Sequence, residues 1–595
     1  MKRFVLALLA AFLSIPFWAI KVQPGATIVR QSDGTQLTVV GHGNCDVHWF
    51  TTTDGVLLSH QGFDYFVACI DEQGRLFPTS QLAHEKSLRN DAENELIRLQ
   101  DQKLFMSKMT RELQTSARRE PVKDNSTYFP HTGSPRAIVI LAQFQDSVFI
   151  DEDPKPVFEQ YLNAEGSLDR NVGNGTVYRN HGSVRRYFSE MSNGLFTPQF
   201  DIYGPVTLSK GLKHYGEGED NLSRLIPETC RLAHDAGLDF SQYDENSDGY
   251  VDLVYIIYAG YAECITGNSS DCIWPCSGTV YGGTYDGKQV LRFGVHAERN
   301  GYPGAWSKPR IGGIGLFCHE FSHSMGLPDI YPTTTEVQNA LNPSMEYWDL
   351  MDGGEFVQNG YYPTEYSAWE REAFDWMQID TLVQSGTYEL APLGTEGGKA
   401  YRVLNENDPT KKEYLLLQNI QATGFNRILA EKLGHGLLVS HVEYDQNAFS
   451  LESNSINNVI GHPRYTFIPA DNEYISSYSI TGNTPEEREE QMNNYLLSHA
   501  GDPFPGSTQN HNLTPITFYT GNSVKQILDI NEDTSTGLVS FTYSDPNFPS
   551  SITVLEAQTA SKGQYYSVDG RCMGNDKSKL RPGIYIVNGH KAVIK

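Results

Sequence analysis

The chain has 595 residues, 39% of them hydrophobic, enough for a sizeable core and roughly three or four domains. Its formal charge is −26 and its pI about 5.0, which excludes the basic surface that non-specific nucleic-acid binding needs. The acidic balance suits a soluble extracellular enzyme and calcium ligation, and solubility alone also accounts for it.

Lys2 and Arg3 precede an apolar run from Phe4 to Phe12, which reads as a signal peptide over 1–19, cleaved after about Ala19. The run is too short to span a membrane, and no later one approaches about 18 apolar residues, so no transmembrane segment is expected. No cysteine sits at the cleavage point, so a lipoprotein anchor is not expected. Export permits disulfides. The cysteines are Cys45, Cys69, Cys230, Cys264, Cys272, Cys276, Cys318 and Cys572. Cys264, Cys272 and Cys276 share one loop and suggest a local bridge, or alternatively a second zinc site. Cys318 reads as a free core thiol.

Residues 20–120 read as a propeptide. Over 25–81, short strands are punctuated by Asp33-Gly34, Asp54-Gly55 and Gln73-Gly74. Residues 82–117 are charged and helical in composition, ending at Arg118-Arg119, a candidate maturation site or an ordinary exposed dibasic pair.

The segment 125–380 reads as a catalytic domain. Arg136 to Phe144 is a continuous apolar run suited to a buried strand, and Asp252 to Tyr258 is a second. Ser183–Met191 and Leu222–Ala236 read as amphipathic helices. Between these, residues 244–252 place Asp244, Asn246 and Asp248 at alternating oxygen-donor positions, with Gly249 permitting a sharp turn. The Tyr250 carbonyl and Asp252 complete a candidate calcium loop. Its twelfth position is Tyr255 rather than Glu, so it is not a complete EF-hand, and an acidic turn held by Asx hydrogen bonds is the alternative.

Residues 319–329 read His-Glu-Phe-Ser-His-Ser-Met-Gly-Leu-Pro-Asp. On a helix, His319 and His323 project from one face and can reach one zinc ion. Glu320 is placed to take a proton from water activated there. Gly326 and Pro328 work against continuing the helix, so Asp329 can serve as a third ligand from a turn. Glu346, Glu365 and Glu370 compete for that place. Downstream, Trp348-Asp-Leu-Met-Asp-Gly-Gly354 has the look of a tight turn around Met351.

Three stretches, HEFSHSMGLPD at 319–329, WDLMDGG at 348–354 and SAWEREAFDWM at 367–377, resemble the immune inhibitor A family of secreted zinc metallopeptidases. The resemblance implies an α+β, metzincin-like zincin catalytic domain, with His319, His323 and Asp329 as zinc ligands and Glu320 as general base. Met351 would be the Met-turn residue beneath the metal. Gluzincins instead take a Glu from a later helix, and Gly326 and Pro328 argue for the metzincin route. The family also implies a latent precursor, for which Cys45 and Asp46 are candidate latency ligands on chemistry alone. Tyr361 or Tyr362 is chemically suited to stabilise an oxyanion.

Beyond 380 the pattern changes to short strands, among them 413–419, 436–442 and 465–469, with a helix over 486–497 and a rigid turn over 501–506. Residues 381–545 therefore read as a β-rich accessory domain, in which His441 is a satisfied structural histidine. The last segment, 550–595, places strand pairs around Asp569-Gly570 and Asn588-Gly589, forming a small β-module. It resembles a type IX secretion sorting domain, which implies export through the periplasm of a Gram-negative bacterium to a secreted or cell-surface location. The expected partners are protein or peptide substrates and the type IX machinery. A catalytically inactive, peptidase-like surface binding protein is the alternative reading, and a zinc hydrolase of non-peptide substrates a third.

Overall fold

A computed structural model describes residues 26–594 apart from 44–47, 62–63, 106–107, 109–127, 166–168, 173–175, 217–220, 263–271, 302–307, 481–484, 549–564, 568–571, 575–576 and 588–589. The expected signal peptide, Arg118-Arg119, Cys45, Asp46, Cys264 and the two turns of the C-terminal module lie outside the described residues.

The N-terminal region folds as an antiparallel meander of six strands, from Ala26–Arg30 to Leu76–Leu82, each paired with its neighbour in sequence. Its turns are where the sequence placed them, because Gly34, Gly55 and Gly74 hold φ of 86°, 85° and 76°, which side chains resist. A helix over Asp91–Arg98 follows, capped by Asn90, whose side-chain oxygen accepts from the Glu93 amide at 2.9 Å. The region packs against a distant part of the chain. Trp49 lies edge-on to Phe105 and Phe548, with centroids at 5.6 and 5.3 Å, and Val383 joins the cluster.

The central sheet runs Gln199–Thr207, Arg136–Gln143, Val254–Tyr261, Lys288–Arg299, with the first four strands parallel and Cys276–Tyr285 antiparallel on the outer edge. The apolar run at 136–143 is explained by burial on both faces. Ala137, Val139 and Leu141 point into one core, and Ile138, Ile140 and Ala142 into another. Helix Asn221–Asp235 covers the second face. Helices Val184–Met191 and Gly315–Ser324 cover the first. Phe317 stacks on Tyr255 at 4.0 Å, and Phe321 meets Phe188 at 5.2 Å. Full burial of each such ring contributes on the order of 2–3 kcal/mol.

After 380, a five-stranded sheet runs Asp380–Thr381, Tyr401–Leu404, Glu413–Ile420, Gly436–Glu443, Tyr465–Phe467, beside a three-stranded sheet of Gly386–Leu390, Leu538–Ser544 and Gln526–Asp533. These sheets do not stand apart. The core that holds the 315–324 helix continues through Trp369, which packs on Phe449 and Tyr465 at 5.2 and 5.7 Å. A four-stranded antiparallel sheet from Tyr565 to Ile594 closes the described chain. Among the described residues no helix is long and apolar enough to cross a membrane.

Candidate metal centre

Helix Gly315–Ser324 is buried almost all round, so its polar side chains are enclosed rather than solvated. Its first residue has to be glycine. A Cβ there would lie 2.0 Å from the Glu355 carbonyl oxygen. The helix ends at Gly326, whose φ of 105° turns the chain back and carries Asp329 over the two histidines.

The two imidazoles are oriented by backbone carbonyls. His319 Nδ1 donates to the Leu350 carbonyl at 3.0 Å, and His323 Nδ1 to the Leu327 carbonyl at 2.7 Å. Because a carbonyl only accepts, both rings carry a proton on Nδ1, which leaves Nε2 as the nitrogen that can bind a metal. Each Nε2 lies 3.2 Å from Asp329 Oδ1, and that buried oxygen has no hydrogen-bond donor. Three atoms able to bind a metal thus converge, and His319, His323 and Asp329 form the one cluster of metal-competent side chains among the described residues. Two imidazole nitrogens and a carboxylate oxygen suit a zinc ion with an open position.

The electrostatics agree. Burial disfavours charge on His319, yet Glu355, Asp329 and Glu320 outweigh it and draw the imidazole well above its ordinary range. His323 is drawn upward in the same way, against burial, chiefly by Asp329. Asp329, despite its burial, is held far below the carboxylate range by the two histidines. The enclosed negative charge calls for a cation. Glu320, beside His319 on the helix, is 6% exposed, and burial raises its carboxyl while the two imidazoles oppose this.

Met351 is fully buried in a turn that serves both ligand segments. Asp349 Oδ1 accepts from the Met351 amide at 2.8 Å, and the Met351 carbonyl accepts from the Ile330 amide at 2.8 Å. The Leu350 carbonyl orients His319, so the backbone of this turn fixes one ligand directly and the segment bearing another.

Sequence reasoning missed the support of Asp329. Asn454 Nδ2 donates to Asp329 Oδ2 at 2.7 Å, and Asn454 Oδ1 accepts from the Asp329 amide at 2.7 Å. Asn457 and Asn458 continue the clamp, donating to the Ile330 carbonyl at 2.7 Å and to Thr333 Oγ1 at 2.6 Å. The run Asn454–Ser–Ile–Asn457–Asn458 in the sequence was its only signal. Tyr331 was also unforeseen; its ring lies nearly parallel to His319, with centroids 6.5 Å apart.

The competing ligands are engaged elsewhere. Glu346 accepts from the Tyr474 and Tyr495 hydroxyls at 2.8 and 3.1 Å, Glu365 pairs with Arg371 at 3.2 Å, and Glu370 closes the capping box of its own helix with Ser367. Tyr361 donates its hydroxyl to the Ile311 carbonyl at 2.6 Å, and Tyr362 accepts from Arg427, so neither is directed at the metal ligands. His441 pairs with Glu413 at 2.9 Å, a structural role as expected.

The loop 244–252 is held by its own backbone amides and by a lysine. Asp244 Oδ2 accepts from Lys288 Nζ at 2.5 Å and from the Gly249 amide at 3.0 Å. Asn246 Oδ1 accepts from the Asp248 amide, Asp248 Oδ1 from the Tyr250 amide, and Asp252 Oδ2 from the Glu245 amide. The oxygens are committed to Asx turns and a lysine, and Asp244, Asp248 and Asp252 do not converge on a common point. Cys230, Cys276 and Cys318 are free thiols, the last fully buried, so the bridge expected in the 264–276 loop does not use Cys276.

A buried helix that offers two imidazoles and an acid, with a carboxylate returning from the next turn, has the make-up of a metallopeptidase centre. Residues 128–381 match the family model described as the immune inhibitor A peptidase M6 catalytic domain. The resemblance carried by the three motifs therefore holds across the whole segment that bears the site. Immune inhibitor A of Bacillus thuringiensis subsp. alesti is 25% identical over 277 residues, covering 40% of this chain and 39% of that protein. The pre-pro-metalloprotease PrtV of Vibrio cholerae serotype O1 (strain M66-2) is 25% identical over 217 residues, covering 32% and 23%. The chain thus spans well under half the length of these relatives.

Proposed function

We propose that the chain is a zinc-dependent metalloendopeptidase, with a metzincin-like catalytic domain, that hydrolyses peptide bonds of protein substrates. The observation that carries this is the meeting of His319 Nε2, His323 Nε2 and the buried Asp329 Oδ1 within 4.8 Å of one another. Zinc held by these atoms would supply a Lewis acid and an acidified water. Glu320, adjoining on the same helix, takes a proton from the attacking water and hands it to the departing amine. Its burial raises its affinity for that proton, which suits a group that must both accept and return it. Met351 and the carbonyls of its turn hold the ligand geometry.

The broader organisation belongs to the same proposal. Residues 1–19 direct export, 20–120 form a propeptide of a zymogen, and 550–595 form a sorting tail read by type IX machinery in a Gram-negative bacterium. The supports are the charged-then-apolar start of the sequence, the separate N-terminal meander and the small terminal sheet. Calcium has no part in this mechanism, and an ion at Asp244, Asn246, Asp248, the Tyr250 carbonyl and Asp252 would compete with Lys288 for Asp244.

The test is zinc content and caseinolysis of the matured protein beside its Glu320→Gln variant. Zinc in both with casein cleavage only in the unsubstituted protein is expected. Turnover in the variant at the unsubstituted rate removes Glu320 from its role, and zinc without cleavage in either favours a binding protein.

A further inference from the structure

Against Glu355 lies a cavity of roughly 400 Å³. It falls within the size range of small-ligand pockets, roughly 300–1,000 Å³. Its wall is assembled from the start of the metal helix (Leu316), the end of strand Lys288–Arg299 (His296, Arg299) and the segment after the Met351 turn (Glu355, Phe356, Asn359). Glu355 stands between the cavity and the metal ligands, with Oε1 4.0 Å from His319 Nδ1.

Glu355 is only 5% exposed, and its Oε2 has no hydrogen-bond partner. A buried carboxyl oxygen without a donor is costly and calls for one. None of the neighbouring cationic and imidazole groups bonds Glu355 Oε2. His319 Nδ1 donates to the Leu350 carbonyl at 3.0 Å. Arg299 donates to the Val148 carbonyl at 2.5 Å and faces Glu298 at 3.6 Å. His296 is fully enclosed among Tyr161, Tyr255 and Phe317. A guest in the cavity can supply that donor, and Glu355 ties the cavity to the metal ligands through His319.

Resting on the peptidase reading above, we propose that this cavity receives an arginine or lysine side chain of the substrate next to the scissile bond, with Glu355 as its specificity-determining acceptor. Leu316 and the half-exposed Phe356 flank the methylene stem, as long basic side chains require. A guanidinium or ammonium then gives Glu355 a charge-assisted hydrogen bond. The net charge of −26 favours the approach of basic peptides.

Three measurements on the full matured chain test this. Casein cleavage first establishes whether the peptidase reading itself stands. Cleavage-site profiling on a peptide library is then expected to show Arg or Lys enriched by about tenfold over Met at one position flanking the cut, a difference of about 1.4 kcal/mol. Binding to the zinc-loaded Glu320→Gln protein is measured with alanine peptides carrying a single Arg or a single Met, so that the pocket is tested even if turnover fails. The Arg peptide is expected to bind about tenfold tighter, and adding Glu355→Gln should bring the two within about threefold. Zinc content and melting temperature accompany each variant. Should Glu355→Gln not fold, Gly312→Val narrows the cavity instead, since a Cβ there meets nothing closer than the Glu298 carbonyl at 3.8 Å, and it should weaken the Arg peptide. Casein cleavage without basic enrichment, an Arg preference that survives Glu355→Gln, or equal binding of the two peptides would overturn the proposal.

Discussion

Replacing Asn454 by Ala should weaken zinc binding although Asn454 is not a ligand. Its amide donates to Asp329 Oδ2 and accepts from the Asp329 backbone, both at 2.7 Å, which leaves Oδ1 as the oxygen facing the two imidazoles. Without that side chain, a 6% exposed carboxylate keeps an unpaired oxygen and an unpaired amide. Each unsatisfied buried group costs about 1–3 kcal/mol, and water entering the space left by the side chain recovers part of it. A net loss of about 2 kcal/mol in the metal-bound form corresponds to about thirtyfold in affinity, inside the roughly 10–100-fold range for groups that support metal ligands. The assay is competition for zinc against a chromophoric chelator, with caseinolysis at saturating zinc alongside. Asn454→Asp should be worse than Ala, because a second carboxylate would face Asp329 Oδ2. Zinc affinity within about threefold of the unsubstituted protein, or tolerance of Asp, would refute the reasoning.

Gly315→Ala substitutes the better helix former, yet it should lower the melting temperature, since its Cβ meets the Glu355 carbonyl at 2.0 Å; a cost of about 1–3 kcal/mol is expected in thermal unfolding. Asp502 is held by His499 Nδ1 and Trp348 Nε1, each at 2.7 Å, and burial nevertheless raises it from 3.8 to about 6. A carboxyl raised in the folded state contributes stability that is complete below its unfolded value and is lost as pH rises through about 6. The loss is at most about 3 kcal/mol. Asp502→Asn should flatten the fall in melting temperature between pH 4 and 7, and an unchanged slope would assign that fall to other groups. Calcium at about 1 mM should leave the melting temperature within about one degree, because Lys288 already neutralises Asp244. A clear rise that persists in Lys288→Met but vanishes in Asp248→Ala would restore the calcium reading.

The sequence made visible what is decided locally. The apolar run at 136–143, the helix Val184–Met191 and the pair of strands at Glu413–Ile420 and Gly436–Glu443 appear where periodicity placed them. The same holds for His319 and His323, whose spacing alone fixes their common face, and for the turn that brings Asp329 back. Contacts between distant segments left no such mark. Asn454 lies 125 residues from the ligand it holds, and no local pattern distinguishes it from any loop asparagine. The hairpin of Cys276–Tyr285 and Lys288–Arg299 passed unnoticed because Gly278, Gly282 and Gly283 dilute its strand pattern. Its Asp286-Gly287 turn, with φ of 49° and 80°, was a readable signal. The donor spacing at 244–252 shows the same limit in reverse, since spacing cannot reveal a lysine arriving from a neighbouring strand.

Packing crosses the boundary at 380. Composition changes there because the chain passes from alternating helices and strands to strands alone, but packing does not change with it. Trp369, Phe449 and Tyr465 share one core with the metal helix, and the Asn454–Asn458 run closes over Asp329, Ile330 and Thr333. The matched segment 128–381 holds every proposed ligand and the proposed base, yet not the group that aims Asp329. A carboxylate in a turn has more freedom than an imidazole on a helix, so Asp329 needs outside support more than the histidines do. His319 and His323 are aimed by carbonyls from within the matched segment, whereas Asp329 is aimed from outside it. The later sheets are on this view part of the metal centre, built around its least constrained ligand.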